Sequence, residues 1–173
     1  SIGGNHFIHA CRRNMDMTYI VMDNEVYGMT KGQPSPTTEP DWESKLAPHG
    51  TGIRTFNPLG VALASGASFI ARGFAGDQNG LTKLIIDAIE HKGFSLVEIK
   101  SPCITFRPEE KEWSKTMRKM NVVPTDDIVE AARNIHSSDG LDSGIFYQAK
   151  LPVFQPLSKN EKTIVDFEKE FEV

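Results

Sequence analysis

The chain has 173 residues, 39% of them hydrophobic and 24% charged, which suits one ordinary domain or a large part of a bigger one and excludes a disordered or collagenous chain. Nineteen Lys and Arg against 23 Asp and Glu leave a formal charge of −4, so no surface basic enough for backbone-driven nucleic-acid binding is expected. Apolar runs fall far short of the ~20 residues that cross a bilayer, and the expectation is a soluble, cytoplasmic protein with no nucleic-acid or membrane partner. Two cysteines, Cys11 and Cys103, cannot form a disulfide framework and point to a reducing compartment.

The chain opens at Ser1 without an initiator Met, and the expectation is that a segment has been cut away upstream. Residues Asn5 to Asn14 carry Phe7, Ile8, Ala10 and Cys11 at near-helical spacing, with Gly3-Gly4 freeing the backbone at the entrance. Thr18 to Asp23 has the β-branched, apolar character of a buried strand and ends in polar Asp23-Asn24. From Asn24 to Gly52 the chain has four prolines, four glycines and no lasting period, which predicts a long functional or disordered loop.

Leu59 to Ala67 predicts a helix packed closely on a sheet, and Ser68 to Gly73 a short strand. Leu81, Leu84, Ile85, Ala88 and Ile89 form the stripe of an amphipathic helix closed by Lys92-Gly93, and Phe94 to Lys100 is the strand after it. Strand, helix, strand, helix, strand implies an α/β fold, a parallel sheet flanked by helices, and such sheets bind ligands beyond the carboxyl ends of their strands. Asp23-Asn24 and Ser101-Pro102-Cys103 both stand at such ends. Beyond Phe106 the pattern predicts a charged helix with Trp113, a helix after Thr125 carrying Ile128, Val129, Ala132 and Ile135, and a short strand near Ile145 to Tyr147. A last helix opens with Ser158 and Glu161 in capping-box spacing and carries Ile164, Phe167 and Phe171 as an apolar stripe. The division expected is a core over residues 1–106 and a C-terminal helical extension of the same domain over 107–173.

The densest polar cluster is Asp23 to Thr37. An Asn side chain and a backbone carbonyl just past a strand suit half of a Mg²⁺ site shared with phosphates; an Asx-capped turn is the plain alternative. On residue chemistry alone His6 is an ordinary helix-start histidine, Lys31 a surface lysine and Cys103 a buried thiol.

Ile2-Gly3-Gly4-Asn5-His6, Arg12-Arg13-Asn14, the Asp23 to Thr37 run and Ser101-Pro102-Cys103-Ile104-Thr105-Phe106 together closely resemble the beta subunit of 2-oxoacid:ferredoxin oxidoreductases, the chain that binds thiamine diphosphate. The resemblance is strong over residues 1–106 and looser beyond, where Gly144-Ile145-Phe146-Tyr147 still matches. It implies a thiamine-diphosphate-binding fold, here partial, with Asn24 and the Val26 carbonyl on the Mg²⁺ that holds the diphosphate. The family's Gly-Asp-Gly, which supplies the first carboxylate, is absent from the chain and expected upstream of Ser1. Gly3, Gly4, Asn5 and His6 would lie by the diphosphate, as amides at a helix N-terminus can. Thr30, Lys31 and Gln33 would approach the thiazolium and substrate, and Lys31, where relatives often carry Gly, would hold a substrate carboxylate by charge. A second carboxylate on the substrate, as in 2-oxoglutarate, is the extension this invites.

Cys103 would be one ligand of a four-iron four-sulfur (4Fe-4S) cluster whose other thiolates lie upstream, and Cys11 would be core. The activity implied is coenzyme A-dependent oxidative decarboxylation of a 2-oxoacid with electrons passed to ferredoxin. No catalytic residue is assignable in this chain, because the activating glutamate of the family comes from a partner alpha subunit. Two other readings remain: a thiamine-dependent decarboxylase or synthase without iron and sulfur, and a non-catalytic α/β subunit that only binds a partner.

Overall fold

A computed structural model of the chain describes residues 3–119 and 124–156. Helix α1 (Gly4–Arg12) leads into strand β1 (Met17–Asp23), and a small antiparallel hairpin follows, β2 (Val26–Tyr27) with β3 (Gln33–Pro34). Irregular chain runs from there to α2 (Pro58–Ala64), β4 (Phe69–Phe74), α3 (Gln78–Glu90) and β5 (Phe94–Lys100). A 3-10 turn (Pro108–Glu112), α4 (Trp113–Thr116), β6 (Arg118–Lys119), α5 (Ile128–Ser137) and β7 (Asp142–Gln148) complete the described elements.

The main sheet has the order β1-β5-β4-β7-β6. Strands β1, β5 and β4 are parallel, as the alternation of elements requires, whereas β7 lies antiparallel against β4. The parallel sheet flanked by helices expected from the sequence is thus present in β1, β5 and β4, and β7 adds a strand whose antiparallel direction the sequence did not announce. Strands β4 and β5 are buried at every residue because helices cover both faces. On one face Leu59, Leu63, Ile70, Leu96, Ala131, Ile135 and Phe146 pack under α1, α2 and α5; on the other Phe69, Ala71, Val97 and Ile99 pack under α3.

Several sequence expectations are corrected here. Among the described residues strand β1 is the sheet edge, with Met22 74% and Ile20 43% exposed. Apolarity reported its strand character, but only the strand order sets how many neighbours it has. In α3, Ile89 turns to solvent while Ala88 is buried, and in α5 it is Ala131 and Ile135 that face the core, with Ile128 and Val129 exposed in the first turn. The helix expected over Leu59 to Ala67 stops at Ala64, because Gly66 takes φ +90° and reverses the chain. The expected helix after Pro156 lies outside the described residues.

At the amino ends of the strands a buried polar knot fixes α1 to the sheet. Asn14, at φ +46°, accepts from the Phe94 amide and the Ser68 hydroxyl (2.7 Å each) and donates to the Pro152 carbonyl (3.0 Å). Because the Ser68 proton goes to Asn14, His91 Nε2, 2.8 Å from the Ser68 oxygen, carries a hydrogen and donates it. Burial lowers the His91 pKa below its ordinary 6.5, against a smaller opposing pull from Asp16. A depressed histidine pKa favours folding above pH 6.5, and that contribution is lost as the pH falls through the folded value. Urea unfolding of wild type and His91→Gln should therefore show wild type losing stability relative to the variant between pH 7 and pH 5; parallel profiles would contradict this.

Candidate functional site

Parallel register places side chains at the carboxyl end of the sheet in pairs. Asp23 on β1 stands beside Lys100 on β5, and Arg72 on β4 beside Glu98 on β5. Both pairs are ion pairs with side chains 7% exposed or less. Burial of four charges is tolerable because each is partnered. Lys100 Nζ lies 3.0 Å from Asp23 Oδ2 and also bonds Glu25, and it sits 5.6 Å from the Trp113 ring centroid. Desolvation opposes ionisation of Asp23, yet Lys100 and hydrogen bonds from Thr37 and the Glu25 amide carry its pKa below the ordinary carboxylate value.

Beyond Asp23 the chain turns. Asn24 Oδ1 accepts weakly from the Val26 amide (3.4 Å), so the Asx turn weighed from sequence is present. Glu25 adopts φ +52°, Val26 is buried, and the Val26 carbonyl accepts from Gly28 at 3.1 Å. The β2–β3 hairpin carries Thr30, Lys31 and Gln33 at its tip, with Thr30 donating to the Gln33 side-chain oxygen. Lys31 is exposed. The tip closes through Lys31 at φ +78° and Gly32 at φ +94°.

That tip rests on the turn after β5. A Cβ added at Gly32 would stand 2.8 Å from the Phe106 ring, and one at Gly28 would stand 3.3 Å from Cys103 Sγ. The hairpin and the Ser101–Phe106 turn, separate motifs in the sequence, are thus one surface. Gly32→Ala is expected to lose about 1–2 kcal/mol from the left-handed backbone alone, plus displacement of Phe106, and thermal unfolding checks it.

Cys103 donates its amide to Glu110 Oε2 at 2.6 Å, and its carbonyl accepts from the Arg107 amide at 2.8 Å. Burial pushes the Glu110 carboxyl up to about 7, although Arg107 Nε lies 3.0 Å from its other oxygen. Cys11 is fully buried among α1 and α2 residues, and burial pushes its thiol up to about 12, so it cannot share a site with Cys103.

Gly3, Gly4, Asn5 and His6 form the exposed first turn of α1, with Gly3 at φ +96° as its cap. Among the described residues no hydrogen bond joins them to Asn24–Gln33. Lys100, Arg107, Glu110 and the Arg72–Glu98 pair escaped the sequence reading. Their signal was present: a charge inside a run that otherwise reads as a buried strand, as in FSLVEIK and FIARGF, demands a buried partner. Below the hairpin, on the α2 side, a cavity of about 810 Å³ is lined by Asp23, Arg54, Arg72, Glu98, Lys100 and His136 among others.

The donor chemistry suits some groups and not others. Asn24 Oδ1 and the Val26 carbonyl are two oxygen donors on one turn, a fit for Mg²⁺ that takes further ligands from phosphate and water. Among the described residues no group of three or more His, Cys, Asp or Glu could hold a metal by itself. A four-iron cluster needs four ligands, and a chain with two cysteines, one buried in the core, does not fit it alone. No helix among the described residues is long and apolar enough to cross a membrane.

Comparison with known proteins adds four observations. Residues 1–99 match the family model described as the thiamine pyrophosphate enzyme, C-terminal TPP binding domain. The chain is 35% identical over 169 residues to the 2-oxoglutarate synthase subunit KorB of Archaeoglobus fulgidus, covering 95% of this chain and 63% of that protein. It is 38% identical over 165 residues to the beta subunit of a 2-oxoacid:ferredoxin oxidoreductase of Sulfolobus sp., covering 87% and 54%. The solved 2-oxoglutarate:ferredoxin oxidoreductase from Magnetococcus marinus, with 2-oxoglutarate, coenzyme A and succinyl-CoA bound, superposes with a TM-score of 0.82 at 35% identity over 89% of this chain and 54% of that one. The chain thus spans between half and two thirds of the length of these three relatives.

Proposed function

Since the chain belongs to the thiamine pyrophosphate enzymes through their C-terminal TPP binding domain, we propose that it is the cofactor-binding part of a beta subunit of a 2-oxoacid:ferredoxin oxidoreductase. The reaction is conversion of a 2-oxoacid and coenzyme A to an acyl-CoA and CO₂, with two electrons passed singly to ferredoxin. The observation that carries the reading is the meeting of the Thr30–Gln33 tip with the Cys103–Phe106 turn, next to the Asn24–Val26 turn, at the carboxyl end of a parallel sheet. An alpha subunit completes the site, and the reducing cytoplasm is the compartment that suits a free Cys103.

Asn24 Oδ1 and the Val26 carbonyl would hold Mg²⁺, and the α1 amides at Gly4 to His6 would face the diphosphate. Thiamine diphosphate, when bound, supplies the nucleophilic carbon and the electron sink for loss of CO₂. Thr30 and Gln33, hydrogen-bonded to each other, would line the substrate space, and Lys31 would pair with a carboxylate of the substrate. Cys103 would give one thiolate to a cluster whose remaining ligands come from outside this chain.

The test is reduction of a viologen dye by the assembled enzyme, dependent on both a 2-oxoacid and coenzyme A; dye reduction independent of coenzyme A with every 2-oxoacid tried would overturn the reading. In the same assay Lys31→Ala should lower kcat/KM for 2-oxoglutarate by about 30- to 100-fold, the scale of one charge-assisted pair, and for pyruvate by far less. Equal losses on the two substrates would remove Lys31 from substrate recognition. The single available thiolate favours one second reading, a thiamine-dependent decarboxylase without a cluster; stoichiometric iron in the purified enzyme would exclude it.

A further inference from the structure

We propose that Arg107 is a positioning residue for the metal turn: its buried guanidinium reaches from the Cys103 turn to Glu25 and fixes the backbone that presents Asn24 and the Val26 carbonyl. The inference rests on the metal reading above. It starts from a local anomaly. Glu25, between the two proposed ligands, has φ +52°, a conformation that a residue with a Cβ rarely adopts unaided. Something must hold it there.

Two cations and a hydroxyl do so. The Glu25 carbonyl accepts from Thr38 Oγ1 and from Arg107 Nη1 (3.3 Å), and its carboxylate is divided between Arg107 Nη1 (2.9 Å) and Lys100 Nζ. One residue is thus gripped through both its main chain and its side chain by the same arginine. Removing that grip lets Glu25 relax toward ordinary φ, which swings the Val26 carbonyl away from the Asn24 side chain.

Arg107 is itself immobilised. Its side chain is 4% exposed and lies 5.1 Å from the Trp42 ring centroid. Glu39 meets its Nη2 at 2.8 Å, and Glu109 lies 3.2 Å and Glu110 3.0 Å from its Nε. Trp42 in turn donates to Glu109 at 2.9 Å. This division of partners uses the planar fork of a guanidinium: three edges serve three directions at once. A lysine ammonium keeps the charge but is a single point and cannot reach Glu25, Glu39 and Glu110 together. The arrangement has the form of outer-shell support for a ligand turn, where loss of a partner weakens metal binding by about 10- to 100-fold.

The experiment uses the assembled enzyme with Mn²⁺ in place of Mg²⁺, titrated by electron paramagnetic resonance in the presence of thiamine diphosphate. Arg107→Lys, Arg107→Met and Glu25→Gln should each weaken Mn²⁺ binding at least tenfold, and Asn24→Ala, which removes a ligand, by as much or more. Where Arg107→Met fails to assemble, Arg107→Lys and Glu25→Gln decide. Lower thermal stability with unchanged Mn²⁺ affinity in these two would overturn the positioning role while an Asn24→Ala loss still supports the metal site. Unchanged affinity in Asn24→Ala would overturn the metal reading itself and the inference with it.

Discussion

Asn14→Ala should destabilise the protein by about 4 kcal/mol, combining a buried amide left unpaired with a left-handed backbone forced on alanine. The side chain does four things that alanine cannot. It accepts from the Phe94 amide at the first residue of the inner strand β5, accepts from Ser68 just before β4, and donates to the Leu151 and Pro152 carbonyls of the returning tail. It also suits φ +46°, which asparagine tolerates better than most residues. Asn14→Gly separates these contributions: it relieves the backbone and should recover about 1–2 kcal/mol of the loss, leaving the hydrogen-bond deficit. Urea unfolding of the three proteins checks both numbers. Equal stability of the glycine and alanine variants would show that backbone strain plays no part, and a loss below 1 kcal/mol in both would show that the knot is not a major support. Gly93 is part of the same construction. It has φ +123°, and a Cβ there would stand 2.4 Å from the Ser68 hydroxyl and 2.5 Å from Asn14 Oδ1, so no other residue fits beside the knot.

Arg72→Met should cost a further large amount, about 3–5 kcal/mol, because it strands Glu98 as a buried carboxylate. Glu98 is 1% exposed and sits on the fully buried strand β5, and its bond is with Arg72 Nε. The guanidinium also lies 5.4 Å from the Phe146 ring centroid, a contact that the methionine side chain largely preserves, so the loss reports the charge more than the packing. The double variant Arg72→Met with Glu98→Leu removes both charges and should regain most of the single-variant loss, since well-packed apolar residues replace a buried pair at little net cost. The coupling energy from the four-protein cycle is the quantity to measure. Simple additivity of the two single losses would mean that the pair is not coupled and that the destabilisation comes from altered packing.

The sequence was most informative where one physical preference dominates. The strand Phe94–Lys100 is legible residue for residue because β-branched and apolar residues have one favourable environment, and the α3 stripe is legible because its 3.6-residue period allows one buried face. The motifs at Asn24, Lys31 and Cys103 stood out for a different reason, their resemblance to a family; residues 1–99, which include the first two, match the C-terminal TPP binding domain of thiamine pyrophosphate enzymes. Residue chemistry alone would have left Asn24 as a turn cap and Lys31 as a surface charge.

By itself, then, the sequence determined that β1, β4 and β5 are strands of a parallel sheet, that helices lie between them, and that the motifs stand at the strands' carboxyl ends. These follow from local periodicity, from turn residues and from patterns contiguous in the chain. Tertiary structure alone decided that β1 is an edge, that β7 joins antiparallel, that the hairpin tip rests on Phe106 and Cys103, and that Arg107 grips Glu25. The physical reason is that strand order and buried charge pairing depend on residues far apart in the chain, such as Arg72 with Glu98, 26 positions away, and Arg107 with Glu25, 82 positions away. A charge in a buried strand announces that it needs a partner, but only the folded chain decides which one it gets.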